Sequence, residues 1–204
     1  MWEIQPLTPE RWEDFACLCR QMGPNRSCWC MWWRQDGAPQ EGTARERAHA
    51  LVLRPGPPIG LIAYEGGEPV GWAAASPRED YPRLQAGRDT APVDGRPGVW
   101  AVPCFFVLEG RRRQGVARAL LAAAVEFAAA HGASAVEGVP GDPATRRRTP
   151  GGSYTGTTSM FAETGFVEVA RRSPKGRVVM RRVTGPRRSD TQDRPPQAEG
   201  TEMP

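Results

Sequence analysis

The sequence predicts an α/β fold: a mixed, mostly antiparallel twisted sheet with helices on both faces. Three observations lead to this expectation. Two apolar runs on either side of Gly66-Gly67 are typical of a β-hairpin. The apolar run 98–108 is typical of a central strand covered on both faces. An alanine-rich amphipathic helix over 115–131 follows it, so a strand–helix–strand unit is flanked by antiparallel strands.

Two helices are expected before the hairpin. Apolar residues recur at helical spacing over 9–22, where Thr8 is a suitable N-cap and Pro9 suits the first helical position. A second helix is predicted over 43–54, and the four residues 55–58, Pro-Gly-Pro-Pro, end it.

The hairpin strands are expected over 59–65 and 68–77, and a polar loop rich in proline and glycine over 77–97. Pro103 interrupts the central strand 98–108. Because proline has no N–H to donate, it predicts a bulge or a place where neighbouring strands part.

After the 115–131 helix we expect a short strand over 133–140, a short helix within 155–166, and two paired strands, 166–172 and 177–183. From residue 184 the chain is polar and rich in proline and charge, which is typical of disorder. The expected organisation is one domain over 1–183 and a disordered tail over 184–204.

Composition excludes several classes of function. The chain has 27 basic and 23 acidic residues, a net charge of +4, and its basic residues are scattered, so we do not expect a nucleic-acid-binding protein. No apolar run approaches the ~18 residues of a membrane span, and no signal peptide is recognised. We therefore expect a cytoplasmic protein without membrane contact, whose five cysteines are reduced thiols.

The segment RRRQGVARALL, 111–121, joins the central strand to the alanine-rich helix. The first N–H groups of a helix have no intrahelical acceptor and lie at the positive end of its dipole. Gly115 lets the backbone approach a ligand, and Arg112 and Arg113 add positive charge. The pattern indicates an anion cradle for a phosphate or pyrophosphate. The alternative is an arginine-rich helix start that binds nothing.

The stretch Arg112–Ala117 resembles the [QR]-x-x-G-x-[GA] signature of the GCN5-related N-acetyltransferase (GNAT) superfamily. The resemblance includes the flanking strand and helix, the element order, and the later Gly165-Phe166 step, and it covers about residues 2–183. It implies a GNAT fold and an N-acetyltransferase that moves an acetyl group from acetyl-CoA to a primary amine by direct attack.

The resemblance also implies a coenzyme site. Main-chain N–H groups of the 113–117 stretch would hold the pyrophosphate, and main chain of the preceding strand would face the pantetheine arm. The implied residues are Phe106, Val107, Leu108, Arg112, Arg113, Gln114, Gly115, Val116 and Ala117.

The catalytic residues are less readily assigned. The family's usual acid is a tyrosine four residues before the glycine of Gly-Phe, and here that position holds Phe161. Tyr154 and Ser159 are the nearby hydroxyls that could replace it, although either could equally be a capping or packing residue. The candidate bases are carboxylates near strand ends, of which Glu109 is nearest the coenzyme loop: Glu65, Glu79, Asp80 and Glu109. His49 and His131 are expected at the surface or in packing.

The stretch CWCMWWR, 28–34, leaves three interpretations open. Together with Cys17 and Cys19 it contains two C-x-C pairs, but zinc sites usually have C-x₂₋₄-C spacing, so no metal is expected. Buried aromatic packing is the second interpretation. The third follows from the resemblance: Cys28, Trp29, Trp32 and Trp33 would wall an acceptor site that attracts a protonated amine. Cys28 or Cys30 could also be a reactive thiol.

The expected partner is a small-molecule amine, and a homodimer is an assembly frequent among similar folds. The rival interpretation is a GNAT-shaped regulatory module that binds acyl-CoA without turnover. Phe161 in place of the tyrosine favours that rival.

Overall fold

A computed structural model describes residues 2–144 and 154–184. Within these residues, seven strands form one sheet: β1 (Glu3–Pro6), β2 (Gly60–Glu65), β3 (Glu68–Pro77), β4 (Val99–Val107), β5 (Ala135–Gly138), β6 (Val167–Arg171) and β7 (Val178–Val183). The α-helices are α1 (Trp12–Arg20), α2 (Ala44–Leu53), α3 (Pro82–Ala86), α4 (Val116–Ala130) and α5 (Thr158–Glu163).

The strand order is β1-β2-β3-β4-β5-β7-β6. Among the named strands only β4 and β5 pair in parallel, and the other neighbours are antiparallel. Helix α4 packs on one face of the sheet, whereas α1 and α2 pack on the other. The predicted mixed, mostly antiparallel sheet with helices on both faces is therefore confirmed.

The first part of the chain differs from the prediction in three ways. Residues 9–11 form a short 3₁₀ turn before α1. Thr8 and Pro9 stand at the N-cap and the first position as predicted, but the Thr8 hydroxyl makes no capping hydrogen bond and accepts from Arg11. Strand β1 was not predicted, and α3 lies inside the predicted loop 77–97. By contrast, α2 begins where expected, because Thr43 and Glu46 cap it reciprocally. The predicted tail lies outside the described residues except for its first residue, 184.

The strand β4 is irregular where the sequence predicts it. Ala74 pairs with Cys104 while Ser76 pairs with Ala101, so β4 contains one residue more than β3 between these pairs. The bulge includes Pro103, and β4 pairs with β5 only over 99–101. Both expected consequences of Pro103, a bulge and a parting of strands, are confirmed. From residue 104 onward, β4 pairs with β3 and makes no ladder pairs with β5.

The start of α4 lies close to β3 because Gly71 has no side chain. A Cβ atom at Gly71 would be 2.9 Å from Cγ1 of Val116 and 3.2 Å from Cδ1 of Leu120. Both of these side chains belong to the buried core between α4 and the sheet. The height of the first turn of α4 above the sheet is thus set by the backbone of β3.

A buried ionic cluster lies directly before the point where β4 and β5 part. Glu137 of β5 is paired with Ala101 in the ladder, and its side chain is 1% exposed. Its carboxylate accepts hydrogen bonds from Arg78 and from Nη2 of Arg181, the latter at 2.6 Å. Arg181 also donates a hydrogen bond to the carboxylate of Asp94 at 2.7 Å. These contacts attach the segment 78–97 to β5 and β7.

Replacing the charge of Glu137 should strongly destabilise the fold. In Glu137→Gln the buried guanidinium of Arg78 loses its counter-charge and Arg181 keeps only Asp94, and breaking a buried ion pair costs about 3–5 kcal/mol. The matched control is Glu168→Gln, whose side chain is 43% exposed and paired with Arg171, and which should cost less than about 1 kcal/mol. Urea denaturation of both variants tests this, and equal losses of unfolding free energy would contradict it.

Acid should weaken the same cluster through Asp94. The hydrogen bond from Arg181 lowers the pKa of Asp94 from 3.8 to about 2. A carboxylate with a lowered folded-state pKa stabilises the fold above its unfolded-state pKa, and this contribution is lost as the pH falls from about 4 to about 2. In urea denaturation across this range, the stability gap between the wild type and Asp94→Asn should therefore close. A gap independent of pH would count against the contact.

Among residues 2–144 and 154–184, no helix combines the length and apolar character needed to cross a lipid bilayer.

Candidate functional site

The loop between β4 and α4 ends in a helix start that lacks side-chain capping. Helix α4 follows Gly115, which has φ +89° and no side chain to accept the first N–H groups. These N–H groups have no intrahelical acceptor and carry the positive end of the dipole of a 15-residue helix. The left-handed Gly115 followed by helical Val116 gives the concave arrangement of successive N–H groups that binds anions.

A second residue of this loop, Arg113, also has a positive φ, +63°. A left-handed conformation costs a non-glycine residue about 1–2 kcal/mol. Residues 111–114 are exposed. The loop therefore combines two left-handed residues with a helix start that has no side-chain cap, and the anion cradle stays a prediction for this loop.

The arginines around the cradle are partly occupied by protein groups. Arg112 donates through Nε to the carbonyl of Val107 at 3.1 Å, and Arg118 is paired with Glu163 at 3.0 Å. Arg111 contacts Glu65, which the sequence proposed as a candidate base. Glu65 is thus a counter-charge to the loop.

The main chain of β4 presents alternate residues to its two sides. The N–H of Leu108 donates to the carbonyl of Val70 at 3.0 Å, so Leu108 faces β3. In an antiparallel ladder, hydrogen-bonded and non-bonded residues alternate, so Phe106 also faces β3 while Val107 and Phe105 face away. That opposite side is where β5 no longer pairs with β4. Of the three strand residues implied by the resemblance, Val107 has its main chain on the open side.

Phe161, at the position of the expected tyrosine, is a core residue. Its side chain is fully buried and meets Phe105 and Phe166 edge-on, with ring centroids 6.0 and 4.9 Å apart. A Cβ atom at Gly138 would lie 2.0 Å from this ring, so the ring lies directly against the end of β5. Phe161 therefore fills this space with an aromatic ring that carries no hydroxyl.

The two replacement hydroxyls lie in different places. The ring of Tyr154 stacks on Phe106 at 6.4 Å, and its hydroxyl donates to the carbonyl of Met22 at 3.2 Å. Ser159 is exposed near the start of α5, where its hydroxyl lies 3.0 Å from that of Thr157. Tyr154 therefore adjoins β4, whereas Ser159 faces solvent at the start of a helix.

Among the other candidate bases, Asp80 is held by two arginines. It accepts from Arg34 and from Arg54, each at 3.2 Å. Glu79 and Glu109 are exposed, and Glu109 begins the coenzyme loop predicted from the sequence.

Sequence reasoning missed Arg34, whose side chain is 6% exposed. Besides Asp80, it donates to the hydroxyl of Ser76 at 2.6 Å and to that of Tyr81 at 3.3 Å. These contacts tie the end of the aromatic segment 28–34 to the end of β3. No local pattern distinguishes this arginine from the exposed ones.

The aromatic segment is divided between core and surface. Trp29 is buried and stacks on Trp12 of α1, with ring centroids 5.7 Å apart, as the packing interpretation expects. Trp32 is 54% exposed beneath the guanidinium of Arg83, at 3.8 Å. Trp33 is half-buried, 5.5 Å from the guanidinium of Arg177. Trp32 and Trp33 are thus less buried than Trp29, and an arginine guanidinium lies over each of their rings.

The two histidines take part in aromatic packing, as expected. His49 lies 4.5 Å from the ring of Trp12. His131 lies 4.3 Å from Phe127 and 5.7 Å from Trp100.

The cysteines of the segment are not activated nucleophiles. Burial raises the pKa of Cys28, and the contact with Cys104 together with burial raises the pKa of Cys30. At neutral pH both are thiols, which argues against the reactive thiolate that the sequence left open. In the part of the chain that the structure describes, no three His, Cys, Asp or Glu residues are arranged to hold a metal ion.

The sequence model described as "Acetyltransferase (GNAT) family" matches residues 8–147. No curated protein sequence matches the chain.

Solved structures share the fold. A GCN5-related N-acetyltransferase from Kribbella flavida is 18% identical, with 89% of this chain and 97% of that chain covered and a TM-score of 0.52. The PaiA N-acetyltransferase from Thermoplasma acidophilum, in complex with coenzyme A, is 12% identical, with 90% and 99% covered and a TM-score of 0.52. AAC(6')-Iy, in complex with a bisubstrate analogue, is 20% identical, with 84% and 94% covered and a TM-score of 0.53.

Proposed function

Because the chain belongs to the acetyltransferase (GNAT) family, we propose that it transfers an acetyl group from acetyl-CoA to a primary amine. One observation carries the proposal: the uncapped start of α4 and the outward-facing main chain of Val107 are joined by a single exposed loop. A ligand with a diphosphate at one end and an amide-containing arm at the other matches these two features.

The loop residues would bind the diphosphate. The N–H groups of residues 113–117 would donate to its oxygens, and the exposed arginines of residues 111–113 would add positive charge. The carbonyl of Val107 would release the Nε of Arg112 and accept from an amide N–H of the pantetheine arm. When bound, the coenzyme supplies the activated thioester whose carbonyl carbon the amine attacks.

The protein's part in the chemistry would be to orient the carbonyl and to move protons. The N–H of Val107 would polarise the carbonyl oxygen. The amine nitrogen forms the new C–N bond, the C–S bond breaks, and the sulfur takes the electron pair. We propose that the hydroxyl of Tyr154 delivers a proton to that sulfur. To do so, it would give up its hydrogen bond to the carbonyl of Met22. Glu109 or water would receive the proton lost by the amine.

The acceptor we propose is a small-molecule amine. The structurally similar AAC(6')-Iy was solved with a bisubstrate analogue that joins CoA to acetylneamine. In this chain, Trp32 and Trp33 present aromatic surface, and Cys28 lies half-buried beside them in sequence, so this segment would form one wall of the acceptor site. We also propose residues 1–183 as the catalytic domain, acting in the cytoplasm, with a homodimer as an expected assembly.

A second function has a specific observation in its favour. Phe161 places a buried ring where a hydroxyl is expected, so the chain would suit a module that binds acyl-CoA without turnover. Coenzyme binding without thiol release on a broad amine panel would select that function over catalysis.

Coenzyme binding should depend on the conformation of Gly115. In Gly115→Ala, a φ of +89° becomes unfavourable by about 1–2 kcal/mol, so the loop should relax and its N–H groups turn away. We expect the dissociation constant of coenzyme A, measured by calorimetry, to rise about tenfold. The control is Gly110→Ala in the same loop, where an added Cβ meets nothing within 4 Å. Equal affinities in both variants would refute the cradle.

The proposed acid is tested by Tyr154→Phe. Loss of a general acid should lower kcat by about 100-fold or more, with little change in the KM for acetyl-CoA, because the coenzyme loop is untouched. Ser159→Ala serves as the control and should leave kcat unchanged, since its hydroxyl is exposed and contacts Thr157. If kcat survives in Tyr154→Phe, the hydroxyl only anchors the Met22 carbonyl.

A further inference from the structure

Two thiols from distant parts of the chain meet beside the proposed site. The Sγ atoms of Cys30 and Cys104 are 3.8 Å apart, although the residues are 74 positions apart in sequence. Each residue is 7% exposed, and both belong to the core between α1 and the sheet. The proposed mechanism uses neither of them.

The location of this pair links the two walls of the site. Cys104 is in β4, immediately after Pro103 and the bulge, and three residues before Val107. Cys30 is in the irregular segment that carries Trp32 and Trp33. A covalent bond between these sulfurs would fasten the aromatic segment to β4.

The backbone at Cys30 is unusual. Trp29 and Cys30 have successive positive φ values, +48° and +54°, which non-glycine residues rarely adopt. The indole N–H of Trp72 donates to the Sγ of Cys30 at 3.1 Å. The segment is thus held in a left-handed turn that directs the sulfur towards Cys104.

We propose that Cys30 and Cys104 are a site of oxidative modification that takes a peroxide and closes to a disulfide. The sulfur of one thiol attacks a peroxide oxygen, the O–O bond breaks, and the thiol proton passes to the departing hydroxide, which leaves a sulfenic acid and water. The sulfur of the second thiol then attacks the sulfenic sulfur, the S–O bond breaks, and the second thiol proton passes to the departing hydroxide, which leaves the disulfide and a second water. Both sulfurs are oxidised, one peroxide is reduced, and the Sγ–Sγ distance must shorten by about 1.8 Å, which a segment without regular structure can supply.

The bond would restrain the aromatic segment at the acceptor side and leave the loop before α4 untouched. Oxidised protein would therefore bind coenzyme A as the reduced protein does and acetylate its amine more slowly. This last effect rests on the proposed function, whereas the bond itself does not.

The experiment treats the full chain with hydrogen peroxide and titrates its thiols. The five free cysteines should fall by two, and the lost thiols should return with dithiothreitol. Non-reducing proteolysis and mass spectrometry should find the peptides of Cys30 and Cys104 joined, lighter by two hydrogen atoms. Five surviving thiols, or a bond from Cys30 to another cysteine, would overturn the proposal.

Variants make the assignment specific. Cys104→Ser and Cys104→Ala should each abolish the bond, and using both guards against one that fails to fold. Cys17→Ser is the matched control and should still close the bond, since Cys17 lies on α1 with Gln21 as its side-chain neighbour. The Cys28→Ser variant should also form the Cys30–Cys104 disulfide, which distinguishes Cys28 from Cys30 in their shared peptide. A Cys104 variant that still loses two thiols would refute the pairing.

The effect of the disulfide on activity is tested separately, by comparing the acetylation rates of the oxidised and the reduced protein. A slower acetylation rate in the oxidised wild type, with unchanged coenzyme A affinity, supports the restraint. Bond formation with unchanged turnover overturns it. If the reduced protein acetylates nothing, the proposed function fails, and the thiol titration still decides the bond.

Discussion

The parting of β4 from β5 after Ala101 is the constraint on which the other features depend. Pro103 has no N–H to give a neighbouring strand, and the extra residue beside it shifts the register of β4. The Glu137 cluster holds the paired part of the two strands together. Beyond it, the freed edge exposes Val107 and leads into the loop that starts α4. A regular β4–β5 ladder would close the edge that this arrangement needs.

Most of the fold, including the helix start to which the cradle is assigned, could be predicted, because its signals are local. The Gly66-Gly67 turn, the apolar strand and the alanine-rich helix each lie within one short window of sequence. The cradle is the junction of two such elements, so its place follows once both are recognised. Pro103 is informative for the same reason: its missing N–H acts at its own position. By contrast, β1 is four residues long and α3 five, too short for either periodicity to show.

The charged interior could not be predicted, because each residue is buried by partners far away in sequence. Glu137 meets Arg78 from 59 positions away and Arg181 from 44. Arg34 is buried through contacts more than forty positions distant. The aromatic segment shows the same limit, since its composition suits both a core and a binding wall. The structure assigns Trp29 to the core and leaves Trp32 at the surface, a division that depends on α1 and not on the segment itself.

Gly71 has a consequence for how the proposed coenzyme binding could be tuned. The residue is remote in sequence from the loop before α4, yet the absence of its side chain sets how deeply Val116 seats on the sheet. A methyl group at this position would press on Val116 and Leu120, and through them on the first turn of α4. The proposed affinity for the coenzyme could therefore be changed by a substitution at Gly71 in the supporting strand, without altering any residue that would contact the ligand.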